Sequence, residues 1–288
     1  MKKENLAVLL TCHNRKNKTI ACLQSFYNAN IPSNFDVDVY LTDDGSIDGT
    51  SEAISEMFPL IKLIKGDGNL YWAGGMRLTW VTAMKNKPYD IYLLLNDDVV
   101  LRSDFFDNFQ ETANYALKEF GMQGIYSGST IDMESNKVTY GASRIKNFLF
   151  VVKSYRIEPT NKPQKCDITN SNILWVDKEV VNTIGVFDTK YTHGIADYDY
   201  SIKARKRNIP VLLTPGVCGV CVHDHRENWR NNAYSLRERI DFLKSPKGLA
   251  YKEYMYYIGK HFPFFLPYSF IMLWMKTLFP FLWERYKL

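Results

Sequence analysis

Five cysteines in 288 residues, an odd number spread from Cys12 to Cys221, argue against a disulfide-built scaffold. A chain this long draws its stability from an apolar core, and a reducing cytoplasm is the default compartment. Excess charge of one sign is also small. The net charge is only +5 and dispersed, too weak for a nucleic-acid footprint but compatible with anionic lipids or anionic substrates. No internal repeat and no low-complexity linker interrupts the chain. The opening "MKKENLAVLLTCHNR" has a charged start but only a short apolar run, ended by polar residues rather than a small-residue cleavage site. It reads as a first strand, not a signal peptide. No Gly-x-Gly-x-x-Gly follows that strand; "TCHNR" stands there instead, which argues against a Rossmann dehydrogenase.

Apolar residues, at 46%, are plentiful enough for a sizeable core. Their spacing predicts alternating strands and helices in the first half. Asn5 to Cys12 is a nearly continuous apolar run, as for a strand buried on both faces. A helix follows over about 18–29, then a strand over 36–43. Asp48 is placed to cap a helix through about Phe58. "LIKLIK" is a third strand, 73–86 a helix and 90–96 a fourth strand. Ser103 is placed to cap a long helix that Gly121 ends. This alternation implies an α/β fold with a parallel, doubly wound sheet. The second half holds several short strands, a helix over about 197–208, and two more strands in "IPVLLTPGVCGVCVHDH". A domain over 1–230 followed by a helical segment over 231–288 is expected.

Two of the early strands end in paired aspartates: "YLTDDGSIDGT" (Tyr40 to Thr50) and "YLLLNDDVVL" (Tyr92 to Leu101). Adjacent like charges need a cation, a hydrogen-bond donor or a turn. Asp-Gly-Ser is a good turn. However, ligands of open α/β sheets bind at the carboxyl ends of strands. Thr11 to Arg15, Asp43-Asp44 and Asn96-Asp97-Asp98 all fall there, so they are expected to meet in one pocket.

"LLTCHNR", "LTDDGSIDGT", "GNLYWAGGM", "LLLNDDVVL" and the later "IGVFDTKYTHGIADYDYSIKARKRN" resemble, in order, the family 2 inverting glycosyltransferases of the GT-A fold. The resemblance runs from about Leu6 to His223. The "GNLYWAGGM" stretch is similar to the branch that includes rhamnosyl- and galactofuranosyl-transferases. The resemblance implies a mixed, mainly parallel sheet flanked by helices. It also implies a nucleoside-diphosphate sugar donor, UDP- or dTDP-linked, and a hydroxyl acceptor on a cell-surface or lipid-linked glycan.

Residue by residue, the resemblance puts Thr11, Asn14 and Arg15 on the base and diphosphate side. Asp43 or Asp44 would accept a hydrogen bond from the base N–H, with Asp44 favoured because it adjoins the turn glycine. Gly68, Asn69, Gly74 and Gly75 would let backbone approach ribose and diphosphate closely, with the N-terminus of the following helix adding a favourable dipole. Asn96-Asp97-Asp98 matches the Asp-x-Asp motif, with Asn96 where the first Asp usually stands. Asp97 takes the variable position on the donor side. Asp98 carries the metal role for Mg²⁺ or Mn²⁺, hard cations that prefer carboxylate oxygen. His223 matches a late histidine able to complete the metal site, with His225 as the alternative. Ala196-Asp197 stands where a Glu-Asp pair is usual. Asp197 is therefore the expected general base, with a helix N-cap as its structural alternative. Asp199 is the runner-up or an acceptor contact. Trp72 and Trp175 are the aromatic candidates for the acceptor side.

Two rival readings remain. The altered motifs leave open a non-catalytic nucleotide-sugar-binding protein or scaffold. Cys218, Cys221, His223 and His225 form a compact group, but alternate side chains of a strand face opposite ways, which disfavours a zinc site. Beyond residue 250 the chain is dense in aromatics, and between Phe262 and Trp283 its only full charge is Lys276. Pro263, Pro267 and Pro280 argue against a straight spanning helix. The segment suits a membrane interface, or else packing on the catalytic domain or against a second copy.

Overall fold

The computed structural model describes residues 3–148, 151–222 and 234–284. Its first half follows the expected alternation: β1 (Glu4–Cys12), α1 (Lys16–Tyr27), β2 (Phe35–Asp43), α2 (Thr50–Met57), β3 (Lys62–Lys65), α3 (Tyr71–Asn86) and β4 (Ile91–Leu95). A two-residue β5 (Val100–Leu101) and the long α4 (Phe105–Phe120) follow. The next strands are β6 (Ile125–Ile131), β7 (Val138–Tyr140), β8 (Ala142–Phe148), β9 (Val151–Arg156), β10 (Gln164–Lys165), β11 (Ile168–Thr169) and β12 (Ile173–Asp177). Then come α5 (Lys178–Ile184), α6 (Ala196–Arg205) and β13 (Val211–Val220). The chain closes with α7 (Leu236–Lys244), α8 (Tyr251–His261), α9 (Leu266–Leu278) and α10 (Phe281–Glu284).

The main sheet runs in the order β10-β13-β6-β12-β4-β1-β2-β3. Strands β4, β1, β2 and β3 are mutually parallel. β12 enters antiparallel between β4 and β6, and β13 is again parallel to β6. The sheet is therefore mixed and mainly parallel. Strands β11, β8 and β9 form a separate small sheet.

Both faces of the sheet's centre are covered, which is why β1, β4 and β12 read as nearly unbroken apolar runs. Along β1, Leu6, Val8 and Leu10 join one apolar cluster, and Ala7 and Leu9 join the other. Along β4, Ile91, Leu93 and Leu95 face the first, and Tyr92 and Leu94 the second. β12 continues the pattern, with Ile173 and Trp175 on one side and Leu174 and Val176 on the other.

Several local expectations are corrected. Gly49, with φ at 78°, is the N-cap of α2; Asp48 still accepts the Thr50 N–H, and also the Lys16 N–H at the start of α1. Ser103 does not cap α4. The N-cap there is Asp104 without a side-chain bond, and the Ser103 carbonyl accepts from Asn30 N. Gly121 ends α4 in the left-handed conformation, as expected. The Pro-Gly in "LLTPGVCGV" suggests a break between two strands, yet β13 runs through it as one strand. Register shifts between Leu213 and Gly219 and a left-handed Gly216 absorb the irregularity. Separately from these, α8 places Tyr257 and Ile258 in the same apolar cluster as Leu9 and Leu94.

Candidate functional site

A cavity of about 560 Å³ opens along the carboxyl edge of β1, β2 and β4. This is an ordinary size for a small-molecule site. Thr11, Cys12, His13 and Arg15 leave β1 into it, Asp44 leaves β2, and Asn96, Asp97 and Asp98 leave β4. The three polar clusters do meet.

At the acidic end, the Arg15 guanidinium lies 2.7 Å from Asp98 and 3.4 Å from Asp97. Burial pushes Asp97 up to about 7 against the opposing pull of Arg15. Two thiols hold this loop: Cys22 donates to the Asn96 carbonyl at 3.3 Å, and Cys221 donates to Asp98 at 3.6 Å. Cys218 faces Thr214 and Asn108 instead. All three are buried, as inert structural cysteines are. Among the described residues, no group of three or more His, Cys, Asp or Glu is placed to hold a metal. Asp97 and Asp98 both line the cavity, and a hard cation at this end would take a carboxylate such as that of Asp98, with the remaining ligands coming from a diphosphate and water. That donor set fits Mg²⁺ or Mn²⁺. His223 and His225 lie outside the described residues.

The paired aspartates after β2 separate into two environments. Asp43 turns into its own loop, accepting from Ser46 N at 2.9 Å and from the Ser51 hydroxyl. Asp44 lines the cavity and accepts from Gly68 N at 2.9 Å and Tyr71 N at 3.0 Å. Gly68 reaches it with φ at 87°, a conformation that suits glycine. The Asp44 carbonyl is 2.6 Å from His13 Nδ1. A carbonyl only accepts, so Nδ1 carries the proton and Nε2 accepts from Asn14.

Several expected donor contacts do not reach the cavity wall. Asn14 is exposed, and its amide oxygen accepts from Ile47 N at 2.8 Å. Asn69 is exposed and bonds to Asp67. Gly75 serves packing: a Cβ there would meet Thr11 Oγ1 at 2.1 Å, so only glycine lets α3 lie against the end of β1. The N-terminus of α3 is also already engaged. Tyr71 N bonds to Asp44, Trp72 N reaches His193, and Ala73 and Gly74 both donate to the Thr192 carbonyl. It is not an open anion cradle.

The rest of the cavity lining comes mainly from the second half of the chain. Asp197 lines the cavity near the start of α6. It is not the N-cap; Ile195 is, with φ at 71°. The Asp197 carboxylate accepts from Ser171 N at 3.2 Å and Tyr198 N at 2.9 Å. Burial outweighs those donors and lifts its pKa to about 6. Trp72 also lines the cavity and donates its indole N–H to Asn96 at 2.7 Å.

Trp175 and Asp199 are corrected. Trp175 is 3% exposed, stacked on Phe109 with centroids 5.5 Å apart and edge-on to Phe106. Its position on β12 turns it to the face away from Trp72. Asp199 is 1% exposed and points into the protein, toward Tyr191, Lys260 and His261. Neither lines the cavity.

The sequence reasoning missed Tyr140, Asn170, Ser171, Asn172, Tyr198 and Lys247, all on the cavity wall. Asn170 to Asn172 precede β12. Because β12 is antiparallel to β4, it brings its entry to the site edge, and Asn96 N bonds the Asn172 carbonyl at 3.0 Å. An Asn-Ser-Asn triplet before a strand is the only signal the sequence offers.

The glycosyl transferase family 2 profile matches residues 7–150, half of the chain. No curated protein matches the sequence closely enough to count. Among solved structures, the fold is similar to a mannosyltransferase from Pyrobaculum calidifontis in complex with GDP-Man and Mn²⁺. The TM-score is 0.55 at 18% identity, over 80% of this chain and 61% of that one. The present chain thus covers less than two thirds of that protein, and at this identity the likeness speaks for the fold alone. With its mixed sheet, its acidic loop after β4 and half its length within the family profile, this chain has the GT-A fold and belongs to glycosyl transferase family 2.

Proposed function

We propose that the protein is an inverting, metal-dependent glycosyltransferase using a UDP- or dTDP-linked sugar, with rhamnose or galactofuranose the favoured sugars. The observation that carries the reading is a single cavity lined both by a carboxylate of raised pKa, Asp197, and by the Arg15–Asp98 cluster. The acceptor hydroxyl gives its proton to Asp197 as its oxygen attacks the anomeric carbon. The bond from that carbon to the diphosphate breaks on the opposite face, and the nucleoside diphosphate leaves. Mg²⁺ or Mn²⁺ held through Asp98 would offset the charge that builds on the leaving group. The Mn²⁺ and GDP-Man of the similar mannosyltransferase are in keeping with such chemistry. Asp44 and Thr11 belong to the nucleoside side, Arg15 and Gly68 to the diphosphate side, and Trp72 to the sugar or acceptor.

The acceptor, on this reading, is a lipid-linked or cell-surface glycan met at the inner face of a membrane. Phe264 is 93% exposed, and Phe270, Ile271, Phe279, Phe281 and Leu282 of the same C-terminal segment are exposed as well. Such an apolar surface next to a basic protein suits an interfacial attachment. Among the described residues, no helix is long and apolar enough to cross a membrane.

Release of UDP or dTDP from a panel of nucleotide sugars, with and without chelator, tests the function. Acceptor-dependent release that chelation abolishes and Mn²⁺ restores is expected. A protein that binds donor yet never releases nucleotide would overturn it.

A further inference from the structure

Asp197 and Asp199 lie two residues apart on α6, about 200° around a helix. The first faces the cavity, and the second faces α8. Asp199 accepts from Tyr191 OH at 3.0 Å and from Lys260 Nζ at 2.7 Å. It also bonds His261 Nε2 at 2.7 Å. Lys206 approaches His261 Nδ1 at 3.1 Å. An ammonium only donates, so Nδ1 accepts and Nε2 carries the proton toward Asp199.

α8 grips the same stretch of chain twice more. Lys260 and Tyr256 both bond Asp188, at 3.0 and 3.1 Å. Glu253 accepts from Thr192 N at 3.1 Å and from the Thr192 hydroxyl. From the other side, α3 holds that stretch through Arg77, which donates to the Asp188 and Tyr191 carbonyls. The amides of Ala73 and Gly74 add bonds to the Thr192 carbonyl. Residues 188–199 are thus clamped between two helices. They include Ile195, a β-branched residue with φ at 71°. Such a residue holds a left-handed backbone only where its surroundings impose it.

We propose that α8 is a positioning element for the reaction: Glu253, Lys260 and His261 hold segment 188–199 so that Asp197 stays aimed into the cavity. The proposal rests on the reading of Asp197 as the base. It gives the aromatic C-terminal segment a task in catalysis as well as any task in attachment. Misplacing a catalytic group by about 1 Å can cost about a hundredfold in rate. Loosening one bond of several should cost less.

The test is a double-mutant cycle in the full-length chain. Lys260→Met should lower kcat about tenfold, on the scale of a small misplacement, while calorimetry shows donor affinity within about twofold of the parent. Lys260→Arg should restore most of the rate. In an Asp197→Asn background, Lys260→Met should lower the residual rate no further. Tyr256→Phe, which removes only one hydroxyl, should give a smaller loss of the same kind and serves if Lys260→Met does not fold. The proposal is overturned if kcat is unchanged in folded variants, if the loss appears in donor binding, or if it is undiminished beside Asp197→Asn. Full transfer by Asp197→Asn alone would instead overturn the base assignment, which separates the two failures.

Discussion

The Trp72 indole N–H points at the Asn96 side-chain oxygen, 2.7 Å away. Asn96 holds the first position of the Asn96-Asp97-Asp98 cluster. A neutral amide oxygen satisfies the indole without adding a third negative charge beside Asp97 and Asp98. The same bond ties the front of α3 to the loop after β4. Asn96→Ala should leave the indole unsatisfied and cost about 1–3 kcal/mol, while Asn96→Asp should keep the acceptor and most of the stability. Thermal unfolding of both variants checks this; equal melting temperatures would count against it.

Asp197 controls the expected pH dependence. Half-buried at the cavity wall, it is lifted by desolvation to about 6 from an ordinary 3.8. Only the ionised form accepts a proton, so kcat/KM should fall about tenfold per pH unit below 6 and level off above it. The stability effect has the opposite sense. A carboxyl whose folded pKa is raised favours the folded state while protonated, so this contribution fades as pH rises from about 4 to about 6. At neutral pH, holding the ionised carboxylate in this partly desolvated position costs less than about 3 kcal/mol of stability, because the open cavity screens it. Asp197→Asn should therefore lose transfer yet match or exceed the parent's melting temperature at pH 7.5, an advantage that shrinks near pH 4. Denaturation at the two pH values, beside the pH–rate profile, decides it.

Trp72 and Trp175 should part company when truncated. Trp175 stacks on Phe109 within the core, so Trp175→Ala should cost about 3–5 kcal/mol and leave the KM of the surviving folded protein unchanged. Trp72 lines the cavity, so Trp72→Phe should raise a KM with a much smaller loss of stability. Steady-state kinetics at a temperature where both variants are folded would show the contrast.

The close approach of α3 to β1 gives a packing prediction. Gly75→Ala would drive a methyl into Thr11 Oγ1 and should cost about 1–3 kcal/mol. Thr11→Ala removes the offending hydroxyl and should recover part of that loss. Additive losses in the pair would mean that the contact is not the cause.

Much of this arrangement was legible in the residues. β1 and β4 are buried on both faces, so their apolar runs are short and unbroken, β2 is continuously buried only from Val39 onward, and each of the three stops at a polar cluster. Parallel pairing then forces those clusters to one edge, which is why Thr11, Arg15, Asp44 and Asp98 group together from the sequence pattern. The short strands of the second half gave weaker signals. The Pro215-Gly216 pair resembles a turn, yet β13 carries it as an irregularity between β6 and β10.

The sequence by itself determined the strand–helix alternation and the acidic strand ends, because each is a local pattern of period or composition; Asp197 stood out as a candidate base only through the resemblance of its segment to a known family. The tertiary structure decided which neighbour faces the cavity. Asp43 and Asp44 differ by one residue and part into turn and wall. Asp197 and Asp199 differ by two and part into cavity and ion cluster. Trp72 and Trp175 share a chemistry, but the register of β12 buries one. The antiparallel entry of β12 and the return of α8 onto α6 depend on contacts between segments distant in the chain, and no local pattern encodes those.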